Sequence, residues 1–388
     1  LEELIEYGLD HSYDMQQTRA SNQNSRSNLR SSYYRLLPGF TISATRTTTE
    51  LPEPQWSISG SLLLSKTFYF NDPDYYNIRT SLLEQRNSDL LLSWSQQEVV
   101  FEIFSQYLYI LEAEKRLAIQ ERTFDLQERI HNQIRVQYET GEKSLLDLKK
   151  SEVNLIDYEI GVLEARRDLV SQRKDLFSYL GLEDEGYGFT EPELDSLAYD
   201  FSYSESYELR QQSNQVKISR LGLWERGLGF LPSLSLGYSY SRNNYDEIFA
   251  FDEYEESHTL SLRASYEIFD LLDKRESYLI QRRNLRLEEL YYQEEEKELR
   301  KDLENLLREL ETLELSFDLY NDKLVLAEEN LNMAEEQFRL GMISLLDFDT
   351  VALDYQKSQL QYNNSYYELL RKREKINKTL SKPILGRW

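Results

Sequence analysis

The sequence has no cysteine, which removes disulfides, thiolate metal sites and a lipidated cysteine from the chain as written. No apolar run approaches the roughly 18 residues a transmembrane helix requires. Glycine and proline are scarce, 14 and 7 in 388 residues, and mostly punctuate long uninterrupted stretches, so long helices with few turns are expected. Cations are outnumbered as well: 45 Lys and Arg stand against 69 Asp and Glu, a formal charge of -24, and no basic stripe offsets the repulsion from a phosphate backbone. Nucleic acid is therefore excluded as a partner. The three histidines, His11, His131 and His258, are scattered without metal-ligand spacing. No Ser-His-Asp or Cys-His set can be assembled and no phosphate-binding loop occurs, so neither catalytic residues nor a cofactor or metal site is expected.

What the chain does contain is an internal repeat. SYDMQQ from Ser12 recurs as SYELRQ from Ser206, an offset of 194, and the same offset carries LLPGFTISATRT from Leu36 onto FLPSLSLGYSYS from Phe230. Further on, QYETGEKSLLDL from Gln137 recurs as QFRLGMISLLDF from Gln337 at an offset of 200. The six extra residues are expected in the loop before His258, because insertions collect where backbone is exposed. Each half reads helix, strand, turn, strand, long helical hairpin. The expected boundaries are 1–181 for the first repeat, 182–199 for a crossover, 200–380 for the second repeat and 381–388 for a tail.

The expected strand pairs are 39–50 with 56–70 and 232–242 with 258–269. They alternate with period two: Phe40, Ile42 and Ala44 against Thr41, Ser43 and Thr45, and Leu234, Leu236, Tyr238 and Tyr240 against Ser233, Ser235, Gly237 and Ser239. The return strands set Ile58, Leu62, Leu64 and Phe68, then Leu260, Leu262, Ala264, Tyr266 and Ile268, on one side. Strands of about 9 to 11 residues cross a bilayer when tilted, with apolar residues towards lipid and polar ones towards a wet lumen. A strand of a soluble sandwich has the same alternation, and the pattern alone leaves both readings open. Four strands cannot close around water, so a membrane reading requires several chains to pool theirs.

Between the strand pairs the chain is helical. The stretch 74–136 holds neither Pro nor Gly and would reach roughly 90 Å as one helix. A return helix over 144–180 stops at Gly181, and 271–340 with 345–380 repeat the plan. Such lengths suit coiled-coil packing. Gly141 and Gly341 suit the positive φ that ends a helix, and Ser144 and Ser344 suit the cap of the next. Carboxylate pairs such as Glu112 with Arg116 read as local i,i+4 supports on a helix surface.

This organisation resembles the TolC-like outer-membrane efflux protein family over essentially the whole chain. The resemblance rests on Leu-Pro before each alternating strand, Leu37-Pro38 and Leu231-Pro232, and on two copies of aromatic-x-x-Gly-x-x-Ser-x-x-Asp: Tyr138, Gly141, Ser144, Asp147 and Phe338, Gly341, Ser344, Asp347. It implies a mainly α, TolC-like fold: a homotrimer with a shared 12-stranded β-barrel in outer-membrane lipid and a long α-helical barrel in the periplasm. It further implies an exit duct for a periplasmic adaptor and an inner-membrane transporter, serving efflux or type I secretion without chemistry of its own. By the resemblance, both glycine blocks are tips read by the adaptor: Tyr138, Glu139, Thr140, Gly141, Glu142, Lys143, Ser144 and Asp147 in one, and Phe338, Arg339, Leu340, Gly341, Met342, Ile343 and Ser344 in the other. Asp347 matches the family's narrowest point, where like charges around an axis would raise the carboxyl pKa. Asp347, Asp349 and Thr350 are the residues expected at this constriction; Thr350 replaces a second family acid, and the neighbouring Asp349 points about 100° away on a helix. Ile343 stands where the best-matched member has a locking arginine, and Phe338 lacks a tyrosine hydroxyl. Lys143 could pair with Asp147 or Asp347, and a partly apolar closing network through Met342 and Ile343 is expected. Trp56, Tyr238, Tyr240 and Tyr266 are expected at the membrane interface, with Trp224 at a helix end. The acidic loop over 243–256 would lie outside the cell. A soluble coiled coil or a periplasmic adaptor is the alternative, but neither explains two pairs of bilayer-length strands.

Overall fold

The computed structural model describes residues 1–51, 53–69, 72–192, 206–243 and 255–387, without the side chains of 48–61, 67–69, 242–243 and 255. In chain order the elements are α1 (Glu2–His11), α2 (Tyr13–Tyr34), β1 (Gly39–Leu51), β2 (Glu53–Tyr69), α3 (Pro73–Glu139), α4 (Leu145–Leu180), α5 (Tyr207–Leu228), β3 (Ser233–Asn243), β4 (Glu255–Ser265), α6 (Asp270–Arg339) and α7 (Leu345–Thr379), closed by a 3₁₀ turn at Ile384–Gly386. The first helix is divided at Ser12, whose φ of -61° and ψ of 143° are extended. Its hydroxyl accepts a bond from Met15 N at 3.4 Å, starting α2 afresh.

The chain forms two compact units, each drawing on both repeats. One comprises Leu1–Thr18, Leu92–Tyr207 and Lys297–Trp388, and the other Arg19–Leu91 and Glu208–Glu296.

In the second of these, four antiparallel strands lie in the order β1-β2-β3-β4. Cross-strand partners share a face. One face therefore carries Phe40 opposite Leu64, Ile42 opposite Leu62, Leu236 opposite Leu262 and Tyr238 opposite Leu260. The other carries Ser233 opposite Ser265, Ser235 opposite Arg263, Gly237 opposite Ser261 and Ser239 opposite Thr259. The apolar face is bare: Ile42, Leu260 and Leu262 are each about 70% exposed. Towards the 244–254 side it becomes polar, with the Tyr238 hydroxyl 3.0 Å from His258 Nδ1 and the Tyr240 hydroxyl donating to Glu256 Oε1 at 3.0 Å. Asp72 caps α3 by accepting from Asp74 N at 2.9 Å, with Pro73 at the first helical position where no amide is needed. A Cβ on Gly222 of α5 would come within 2.8 Å of Gln281 Nε2 and 3.2 Å of the Tyr76 hydroxyl, so α5 is held closely between α3 and α6.

Three expectations need correction or narrowing. β4 ends at Ser265, opposite Ser233, because Pro232 has no amide to extend the ladder; Tyr266 lies beyond the sheet. The six extra residues are not all in the loop before His258. The offset grows from 194 at the first residue of β1 and β3 to 197 at the start of α3 and α6, and to 200 at their ends, so three lie within the long helix. The side chain of Trp56, and most of the crossover and of the acidic loop (193–205 and 244–254), lie outside the described residues.

Among its described residues the other unit holds four buried apolar clusters. One joins Ile5, Met15, Val99, Ile103, Leu176 and Ile384, so the N-terminal helix and the C-terminal turn share a core. Another packs Ile130, Ile134, Leu331, Phe338, Phe348 and Ala352 near the hairpin ends. Arg371 Nη1 reaches Glu112 Oε2 at 2.8 Å from α7 to α3, with both side chains mostly buried and Arg116 at 3.5 Å. Glu112 is thus an interhelical anchor and more than the surface i,i+4 support expected from its spacing.

Candidate hairpin tips and constriction

The two hairpin turns are built on one plan. After α3, Gly141 has a φ of 81° and Glu142 N bonds back to Gln137 O at 2.8 Å. After α6, Gly341 has a φ of 71° and Met342 N bonds to Gln337 O at 2.8 Å. Only glycine takes this left-handed conformation without a steric cost, which is why each turn falls where it does. Each following helix opens with a reciprocal capping box. Ser144 Oγ accepts from Asp147 N at 3.1 Å, while Asp147 Oδ2 accepts from Ser144 Oγ at 2.7 Å and Ser144 N at 3.2 Å. The same three bonds at Ser344 and Asp347 measure 3.2, 2.6 and 3.2 Å.

The Asp347 carboxylate is therefore held by its own helix start. The Ser344 hydroxyl and amide bonds keep its pKa below the usual range within the single chain, opposite to the rise expected of a ring of charges. Asp147 is lowered by the equivalent serine bonds, with smaller help from the charges of Lys143 and Lys150. Lys143 makes no ion pair with either aspartate. Its ammonium lies 5.5 Å from the centre of the Phe338 ring, so a cation on one tip rests on an aromatic of the other.

Phe338 is itself buried and meets Phe348 in a tilted ring contact, 5.2 Å between centres, which places it in the core and not on the docking surface expected of it. Ile343 is half-buried against the same cluster, whereas Met342 and Leu340 are exposed. Tyr138, Glu139, Thr140 and Glu142 are also exposed, and Arg339 pairs with Glu336 at 2.5 Å. The exposed tip is thus a mixture of apolar and acidic groups carried on rigid turns.

Asp347 and Thr350 share an exposed face of α7, and the Thr350 hydroxyl donates to Leu346 O at 2.8 Å. Asp349 does not join them. It turns into a groove of about 470 Å³ lined by Gln120, Asn154, Asp157, Tyr158 and Gln356 among others. There Asn154 Nδ2 donates to its Oδ2 at 2.5 Å, while Oδ1 is buried and unpaired. The buried Nε2 of Gln127 also lacks a partner, although the amide is near enough to draw the carboxyl's pKa down slightly. Burial outweighs both amides and pushes Asp349 up to about 6 from an ordinary 3.8. Its protonated form is the one folding favours, so that contribution is full below pH 3.8 and lost as pH rises through about 6. Asp349→Asn, which mimics the protonated carboxyl, is expected to raise the thermal midpoint at pH 8 and leave it unchanged at pH 3.5. Equal midpoints of parent and variant at both pH values would refute this account. The spacing of Asp349 gave only its direction on α7; the partners on α3 and α4 carried no sequence signal.

The comparisons with known proteins agree on one family. The family model described as outer membrane efflux protein matches residues 4–182 and 207–381. Among solved structures, a membrane protein from Pseudomonas aeruginosa is 15% identical with a TM-score of 0.87, over 100% of this chain and 91% of that one. The outer membrane protein VceC from Vibrio cholerae is 12% identical with a TM-score of 0.88, over 99% and 96%. The CmeC outer membrane channel of Campylobacter jejuni is 14% identical with a TM-score of 0.83, over 100% and 86%. No curated protein matches the sequence. The two-fold repeat of strand pair and capped helical hairpin, together with a family match to both repeats, means that this chain belongs to the outer membrane efflux protein family and resides in the outer membrane with a large periplasmic helical part.

Proposed function

We propose that the chain is one protomer of a homotrimeric exit duct, which passively conducts substrates delivered by an inner-membrane transporter through a periplasmic adaptor. The observation that carries this reading is the incomplete sheet. Among the described residues β1 and β4 are the two end strands of an open four-stranded sheet whose apolar face stands bare, and lipid tolerates neither an open edge nor a partial barrel. Three copies would supply twelve strands and close it, with the serine-rich face inward. The helices carry matching signs of assembly. Leu146, Val153, Ile156, Ile160, Leu163 and Val170 form an exposed ladder of heptad spacing on α4, and Leu319, Leu326 and Met333 form another on α6. These seams support packing between protomers. The exposed groups of the two tips support an adaptor contact, and the exposed face of Asp347 and Thr350 supports a constriction lined by three carboxylates. A soluble coiled coil would have no use for the bare sheet.

Conductance in a planar lipid bilayer tests the duct and separates two roles of Asp347. Asp347→Ala removes both the ring charge and the capping box, whereas Ser344→Ala weakens the cap alone, at a cost of about 1 kcal/mol to the helix start. The expected result is small, cation-blocked steps in the parent that enlarge with Asp347→Ala and stay small with Ser344→Ala. Equal enlargement by both would assign the effect to a frayed tip, and no steps from any form would refute the duct.

A further inference from the structure

A groove of about 600 Å³ between α3 and α5 gathers four cations, Arg79 and Arg86 from one helix and Lys217 and Arg220 from the other. In a chain of charge -24 this concentration is out of keeping with its surroundings. Among the described residues no carboxylate comes within ion-pair distance of Arg79, Arg86 or Lys217, and Arg220 has only Glu289 at 3.8 Å. Lys217 and Arg220 are three residues apart on one helix face, where like charges repel. An anion bound between the helices would relieve that repulsion.

The groove is also amphipathic along its length. At one end Tyr75 and Trp224 meet edge to face at 6.2 Å, both about half exposed, and the Arg79 guanidinium lies 5.0 Å from the centre of the Tyr75 ring. Leu82 and Leu221 add apolar surface to the lining. Tyr75 follows the last residue of β2 by six positions and Trp224 precedes the first residue of β3 by nine, so the aromatic end is the one beside the strands. Arg79 and Arg86 lie roughly 9 and 20 Å further along α3 from its start. The aromatic pair thus stands at the bilayer end and the four cations further from it, with the leucines interleaved among them, the order of a lipid whose headgroup points away from the membrane.

We propose that this groove binds an anionic phospholipid of the periplasmic leaflet, with its phosphate between Arg79, Lys217 and Arg220 and its upper acyl chain against Trp224 and Tyr75. The site anchors the helix ends at a fixed depth and makes the protein responsive to leaflet composition.

The test uses the full-length protein in phosphatidylcholine vesicles doped with brominated phosphatidylglycerol or brominated phosphatidylcholine. The Trp224 signal is isolated as the difference from a Trp224→Phe variant, and flotation reports membrane insertion separately. Several-fold stronger quenching of Trp224 by the brominated phosphatidylglycerol is expected. Arg79→Gln with Arg220→Gln should reduce it to the phosphatidylcholine level, and Arg79→Lys with Arg220→Lys should retain it, both variants eluting as the parent does. Equal quenching by the two lipids would overturn the proposal. So would a Trp224 that neither lipid reaches in inserted protein, which would mean the groove is covered by a neighbouring chain. A fluorescence change produced equally by inorganic phosphate in lipid-free detergent would overturn it in favour of a soluble anion.

Discussion

Arg371→Ala is expected to lower stability by about 3–5 kcal/mol, the largest effect of any single side chain considered. Arg371 Nη1 contacts Glu112 Oε2 at 2.8 Å, and the two side chains are only 15% and 9% exposed. The guanidinium also lies 4.0 Å from the Tyr109 ring centre, and Asn363 Nδ2 donates to Glu112 O at 3.1 Å. Removing the arginine leaves a buried carboxylate with Arg116 at 3.5 Å and the neutral Asn364 amide at 3.2 Å, contacts too weak to replace it. The magnitude reflects the cost of a stranded charge more than the worth of the pair itself. Arg371→Met combined with Glu112→Leu should therefore recover most of the loss. Thermal unfolding of purified protein in detergent measures both. An unchanged midpoint for Arg371→Ala would mean that water reaches Glu112 and the interhelical anchor carries little.

Val153→Glu with Ile160→Glu is expected to abolish the proposed trimer and with it all conductance. Both side chains are about half exposed in the single chain and occupy successive positions of the same heptad column on α4. Burying such a side chain is worth about 1.5–3 kcal/mol, and three copies of each seam must form at once. Two carboxylates per seam replace that gain with desolvation and mutual repulsion. Because neither residue is core within the protomer, helix content by circular dichroism should remain that of the parent. Native mass spectrometry reads the assembly directly. A variant that stays trimeric and conducts but no longer binds an adaptor would move this ladder from the protomer seam to the docking surface, and full retention of both would remove it from either.

Local chemistry was legible in the sequence wherever neighbouring residues suffice to define it. The paired motifs around Gly141 and Gly341 named turns, caps and carboxylates that the structure builds within seven residues, from a positive φ and a reciprocal hydroxyl–carboxylate exchange. Period-two alternation likewise gave the faces of all four strands, since side chains in a strand can point only two ways. The end of β4 was misplaced because alternation continues through Tyr266 and Ile268 while the ladder stops for want of an amide at Pro232.

Contacts between helices were decided by tertiary structure alone. Asp347 and Asp349 are two residues apart on α7, yet one is engaged at the helix start and the other is driven towards neutrality in a groove formed with α3 and α4. Glu112 read as half of a surface pair until Arg371, 259 positions away, met it. Phe338 read as a tip residue until Phe348 covered it. A helix exposes every third or fourth residue to each side, so its sequence states which residues share a face; only packing determines which face meets another helix, and hence which charges lose their water.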